Sequence, residues 1–255
     1  MTWWKEVMGM SKSYVRPVFV VTKNVRNYEA AMDALALASG EGRLGLVFGR
    51  AGRGKTRTAQ WWAAREDAVY LRVATVWSEL DFLVALCHEL GVLAPPRRRG
   101  ACYAAVVDAL SAAQRTVILD EIEKMSSRWL DIVRDVSDVT ACPVVLVGEE
   151  ELASSVRNNR RVWSRIYQQV EYGPITAADV VLYAREAAGL TVQTDAAAQI
   201  HQRSGGDFRL VRRDVVSLAQ LAAAEKRSDV GPEMVQAIVG MHAYGGDKKS
   251  NGRRG

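Results

Sequence analysis

The sequence predicts an α/β protein: an open three-layer domain around a parallel five-stranded sheet, followed by a small all-helical domain. Three observations predict it. Short, almost continuous apolar runs alternate with helix-length segments as far as residue 172, which is how strands buried on both faces of a parallel sheet read. Beyond residue 173 such runs stop and capped helical stretches take over. A composition of 49% hydrophobic and 25% charged residues over 255 positions is enough for a main core and a satellite core, and excludes a disordered chain.

The elements follow in order. Residues 1–16 read as an N-terminal extension and 17–173 as the α/β domain. Its strands are "RLGLVF" (43–48), "AVYLRV" (68–73), "TVILD" (116–120), "CPVVLVG" (142–148) and "IYQQVEY" (166–172). Helices are expected over 55–66, 77–91, 101–114 and about 126–137, with right-handed crossovers between parallel strands. "APPRRRG" (94–100) is a proline-initiated basic loop. In the helical domain, 174–243, Thr176 caps "AADVVLYAREAAG", and Thr194 or Asp195 caps the next helix. Residues 244–255 read as a disordered basic tail.

Charge and cysteines narrow the function classes. The net charge is +5, but "GDKKSNGRRG" at the C-terminus holds four basic residues and one acid, so the folded part is only mildly basic. Cys87, Cys102 and Cys142 are odd in number, widely spaced and set in apolar runs, as expected of buried thiols in a reducing cytoplasm rather than disulfides. The histidines are equally scattered, which argues against a zinc site. No apolar stretch reaches the roughly 18 residues a membrane span needs. Met10 is an alternative start.

"GRAGRGKT" (49–56) matches G-x-x-x-x-G-K-[ST] in full and stands between a strand and a helix. Gly49, Gly52 and Gly54 let backbone N–H groups converge on phosphates, Lys55 reaches the β and γ oxygens, and Thr56 supplies a hydroxyl to Mg²⁺. Arg53 and Arg57 lie in the same loop and helix start, within reach of nucleotide. "TVILDEIE" supplies Asp120 for the Mg²⁺ shell and Glu121 to polarise the attacking water, which makes the site hydrolytic. ATP and Mg²⁺ are the implied cofactors. Of Trp61 and Trp62 on the following helix, at least one must face the sheet.

This acid pair, with a helical module behind it, resembles the AAA+ ATPases over about residues 17–242. The resemblance implies an arginine that completes a neighbouring subunit's ATP site and a second that reads the γ-phosphate. "NRRVWSRIYQQV" places Arg165 in the first role, with Arg160 and Arg161 as alternatives and Trp163 as an interface anchor; "SGGDFRLVRRD" places Arg209 in the second. One departure is that Glu149, in "LVGEEEL", stands where relatives carry an amide or hydroxyl, from which slow or activator-dependent hydrolysis follows.

Within that family, "FVVTKNVRNYE" (19–29) and the region after it resemble the ATPases that serve DNA transposition, of the phage Mu B type, with a plan shared by ExeA-type ATPases. The resemblance implies that 19–29 passes over adenine, with Val25 as a base contact. It also implies a homo-oligomer, as a helical filament or ring, that grips double-stranded DNA without sequence specificity and recruits a transposase. Such a grip needs phosphate contacts alone. Arg97, Arg98 and Arg99 are the first candidates, then Arg72 and Trp77, with Lys248, Lys249, Arg253 and Arg254 of the tail as auxiliaries. The location implied is the cytoplasm of a bacterial host, with no membrane partner. A helicase loader, a secretion ATPase and a nucleotide-gated signalling switch are the alternatives.

Overall fold

A computed structural model describes residues 14–38 and 43–239. The chain divides into two units. Val21–Gly173 forms one, and the segments before and after it, described over 14–20 and 174–239, form the other.

The larger unit runs α1 (Lys23–Leu37), β1 (Leu44–Phe48), α2 (Lys55–Arg65), β2 (Val69–Arg72), α3 (Glu79–Glu89), α4 (Arg99–Ala112), β3 (Val117–Asp120), a 3₁₀ turn (Ile122–Lys124), α5 (Ser127–Thr140), β4 (Val144–Val147), α6 (Glu150–Asn158), α7 (Arg160–Trp163) and β5 (Ile166–Glu171). The five strands make one sheet in the order β2-β3-β4-β1-β5, with every pair parallel. All strand C-termini therefore meet at one edge, and β1 lies inside the sheet between β4 and β5.

The period-2 pleat sorts the strand residues to two cores. Leu44, Leu46, Val117, Leu119, Val144 and Leu146 pack with Phe82 and Leu86 of α3, Val106 and Leu110 of α4 and Trp129 and Val133 of α5. Val47, Ile118, Val145 and Val147, one residue out of phase, face Tyr28 and Leu35 of α1 and Ala59 and Trp62 of α2. Trp62 meets Tyr28 edge to face at 6.1 Å, so Trp62 is the sheet-facing member of the tryptophan pair. The three cysteines are free and buried.

α1 is an element that the strand and helix pattern after residue 43 does not reach. Its apolar positions Tyr28, Ala31, Met32 and Leu35 fall at helical spacing, and the Thr22 hydroxyl accepts the Val25 N–H at its start. From Lys23 onward, the segment expected to run over the base thus forms the first two turns of a packed helix.

At the end of β1 the backbone turns sharply. A Cβ on Gly49, whose φ is +144°, would stand 2.6 Å from the Tyr172 carbonyl oxygen, because the Tyr172 N–H donates to Phe48 at 2.7 Å and draws the two chains together. Gly52 and Gly54 also take positive φ, and Gly54 caps α2 in the left-handed conformation.

The second unit contains α8 (Ala177–Ala188), β6 (Thr191–Val192), α9 (Thr194–Ser204), α10 (Phe208–Ala224), β7 (Asp229–Val230) and α11 (Pro232–Ala237). Thr176 and Asp179 form the capping box of α8, and Gly189 ends it in the left-handed conformation. One feature departs from an all-helical domain: β6 and β7 pair in parallel over two residues each, too short to leave a strand-like run in sequence. Residues 14–20 join this unit, not the α/β unit expected from residue 17. The Arg16 N–H donates to the Ala187 carbonyl at 2.7 Å, and Val18 and Val20 pack on the helices' core.

Gly49→Ala should cost about 2 kcal/mol or more, since strained backbone and steric contact act together. Thermal unfolding followed by circular dichroism should show a Tm fall of several degrees; an unchanged Tm would mean that the loop does not adopt this turn.

Candidate functional site

The glycine turn delivers the chain into α2 with its N-terminus at the sheet's C-terminal edge. The first intrahelical donor is Thr58, bonded to Gly54 at 3.0 Å, so the N–H groups of Lys55, Thr56 and Arg57 lack carbonyl partners within the helix. Three convergent donors at the positive end of an eleven-residue helix can hold an anion. Lys55 is buried, and its ammonium lies over the loop, donating to the Gly49 and Arg50 carbonyl oxygens. Thr56 is partly exposed, Arg53 is half-buried and Arg57 is exposed. Val25 is buried at 3% exposure, in the first turn of α1.

Asp120 ends β3 two strands away and is 1% exposed. A buried carboxylate needs donors, and it has two: the Glu121 N–H at 3.0 Å on one oxygen and the Tyr70 hydroxyl at 2.7 Å on the other. Gln60 of α2 donates to the same Tyr70 oxygen at 3.3 Å. Burial first, and then the Asp120 charge, push the Tyr70 phenol well above its ordinary range, so it stays a donor. The oxygen donors Asp120 and Thr56 at one edge suit a hard divalent cation such as Mg²⁺, which takes few protein ligands and completes its shell with phosphate and water.

Glu121 takes a left-handed φ of 59°, uncommon for a residue with a side chain. Its carboxylate is ion-paired to Arg72 of β2 on one oxygen and to Lys124 on the other. Burial works to raise its pKa, but hydrogen bonds from Arg72 and Lys124 outweigh it and hold the carboxyl below its usual range. A charged carboxylate at this place can polarise a water. Glu123 is half-buried, and burial raises its pKa. Its Oε2 lies where a Cβ on Gly148 would stand, 2.2 Å away, so the glycine at the end of β4 makes room for it. Glu149, next in the chain, is exposed and begins α6.

The remaining candidates are dispersed. Arg165 lies at the opposite edge of the sheet: its carbonyl accepts the N–H of Leu44, the first residue of β1. The length of β1, about 16 Å, separates that edge from the glycine turn. Its guanidinium is held by Asp138 of α5 at 2.9 and 3.1 Å. Arg160 and Arg161 are exposed on α7, and Trp163 packs partly on the core with Arg157 at 5.7 Å from its ring. Arg209, in the other unit, follows the Gly205–Gly206 turn and is bonded to Asp207. Arg97 and Arg98 are exposed, whereas Arg99 is ion-paired to Glu79; Trp77 is half-buried against the core. Lys248, Lys249, Arg253 and Arg254 lie outside the described residues.

A phosphate loop, a strand-end Asp-Glu pair and this strand order are the features of a P-loop ATPase. A family model for the AAA domain matches residues 38–155. The ATP-dependent target DNA activator B of Escherichia phage Mu is 26% identical over 186 residues, covering 70% of this chain and 59% of that protein. The Mu-like prophage FluMu DNA transposition protein B of Haemophilus influenzae is 25% identical over 208 residues, 76% of this chain and 70% of that one. In sequence the chain is similar to these Mu B-type transposition proteins and, over 38–155, to the AAA domain. It matches about three-fifths of the length of the phage Mu relative. Among solved structures, the ORC2 protein of Aeropyrum pernix superposes with a TM-score of 0.62 at 19% identity, covering 92% of this chain and 71% of that one. The RuvB branch migration motor of Thermotoga maritima does so at 0.59 and 17%, covering 89% and 72%.

Sequence reasoning passed over Tyr70, Gln60 and Lys124. Lys124 stands three residues after Glu121, a legible pairing distance; Tyr70 is 50 residues from Asp120, and only the strand order joins them. If Asp120 is a Mg²⁺ ligand, Tyr70→Phe should raise the Mg²⁺ concentration for half-maximal enhancement of ATP-analogue binding by about tenfold, leaving binding in EDTA unchanged. A fluorescent-nucleotide titration reads both.

Proposed function

We propose that this chain is an ATP-dependent, sequence-nonspecific DNA-binding ATPase that oligomerises on target DNA and delivers it to a transposase in the bacterial cytoplasm. The observation that carries the reading is its similarity to two proteins whose names are target DNA activator and DNA transposition protein. Lys55 and the α2 N-terminus bind the triphosphate, and Thr56 and Asp120 hold Mg²⁺, which neutralises phosphate charge. Glu121 accepts the proton of the attacking water.

Arg165 sits too far from its own glycine turn to touch the phosphates bound there, so its role falls at a neighbour's site, with Asp138 holding it until the joint closes. Arg209 reads the γ-phosphate from the second unit. Arg72, with Arg97 and Arg98, meets DNA phosphates. A phosphate on the Arg72 guanidinium competes with Glu121 for the same positive charge, so DNA contact at Arg72 loosens its hold on Glu121 and couples the grip to hydrolysis. Slow turnover without DNA follows from that pairing, and an exposed Glu149 is compatible with it.

Anisotropy and negative-stain imaging over a salt series, with and without ATP, test the reading. Lys55→Ala should lose ATP-dependent DNA binding, and Glu121→Gln should bind ATP and leave long-lived filaments; a Glu121→Gln protein that ignores DNA at low salt overturns it. The pH profile of hydrolysis tests Glu121. With Arg72 present the carboxylate stays ionised to low pH; in Arg72→Ala burial is less opposed, the pKa rises, and activity should fall away at a higher pH on acidification.

A further inference from the structure

Outside the residues already considered, one cluster stands out at the β2 and β3 edge. Glu79, at the start of α3, is ion-paired to Arg99 at the start of α4 and to Arg128 at the start of α5, the latter at 3.3 Å. Glu121 is shared in the same way by Arg72 and Lys124. Each carboxylate thus holds two cations from different segments, so each three-residue group carries one positive charge more than its carboxylate cancels. Arg128 is 72% exposed, Arg99 56% and Arg72 59%, so their charged ends face solvent.

The donor geometry shows what remains available. Arg99 spends Nη1 on one Glu79 oxygen, and Arg128 spends Nε on the other. An arginine carries five N–H donors, so each keeps a face for a second acceptor. Two guanidinium groups side by side repel; the shared carboxylate offsets that repulsion and limits the rotamers of both, so part of the ordering cost of binding an anion is already met. Glu79 itself is largely covered while both guanidinium ends are exposed, so a phosphate oxygen can reach the donors that Glu79 leaves over.

We propose that Arg99 and Arg128, paired through Glu79, form a two-pronged clamp for a duplex DNA phosphate. Arg128 is the new member, and the inference rests on the DNA-binding reading above. Asp81, on the same turn as Glu79, does not compete, because the Ser78 N–H and hydroxyl tie its carboxylate into the α3 cap.

The test is the salt dependence of ATP-dependent binding to a duplex by the full chain. Arg128→Ala should weaken binding by up to about fivefold and reduce the slope of log affinity against log salt by about one per protomer. Arg128→Lys keeps the charge and should restore most of the slope. Arg115→Gln is the control, since Arg115 precedes β3 at the opposite sheet edge, paired with Asp67, and should leave the slope unchanged. ATP-analogue binding confirms that each variant folds. An unchanged slope in Arg128→Ala, with wild-type binding intact, overturns the clamp and leaves the functional reading standing; wild-type protein that ignores DNA sinks that reading instead. Lost self-assembly in Arg128→Ala without DNA, at an unchanged slope, would assign this edge to contact between copies and also overturns the clamp.

Discussion

A parallel sheet buried on both faces has nowhere to put a polar side chain except at its strand ends. Four of the five strands here carry apolar residues toward both cores, so the two sets of hydrophobic contacts fix every register. The chemistry is thereby confined to the edges, and parallel order sends the C-termini of β1, β3 and β4 to the same one. Asp120 is where that constraint is sharpest. It is the last residue of β3 and all but inaccessible, so its charge is tolerable only because both oxygens accept hydrogen bonds. The Tyr70 hydroxyl that serves it comes from the neighbouring strand, which turns sheet order into site geometry.

Much of this was legible because the signals are local. The glycines, Lys55 and Thr56 lie within eight residues, and each is needed by the turn itself: Gly49 is forced both by its φ and by the carbonyl of Tyr172. Asp120 and Glu121 are readable for the same reason, as a strand end written in consecutive letters. The sheet is also readable, since fully buried strands leave continuous apolar runs. The expected helix bounds differ from the observed ones only at their termini, where fraying and caps blur periodicity.

The rest was illegible where it depends on distant partners. No spacing rule connects Tyr70 to Asp120, Arg165 to Asp138 or Arg99 to Glu79; these pairs exist only after the crossovers bring helix starts and strand ends together. A triple arginine reads as three equal charges, and all three are exposed, yet the fold pairs Arg99 with Glu79. The small strands of the second unit fail for lack of length, and residues 14–20 fail because a chain can cross between units without a change in composition. α1 is different in kind: its helical period was present in Tyr28, Ala31, Met32 and Leu35, and the reading of 19–29 as a segment passing over adenine left it unused.

The placement of the arginines gives the site its logic. A cation at the edge that carries the glycine turn can act on its own site, and Arg72 does so through Glu121. A cation at the other edge, as Arg165 is, lies a full strand length away, and short-range contact with that site is closed to it. One set of charges thus tunes the site from within, while the other lies beyond its reach. Both are held by carboxylates, Glu121 and Asp138, in pairs at partly exposed positions. Pairs of that kind exchange partners at small cost, so neither carboxylate fixes its arginine irreversibly.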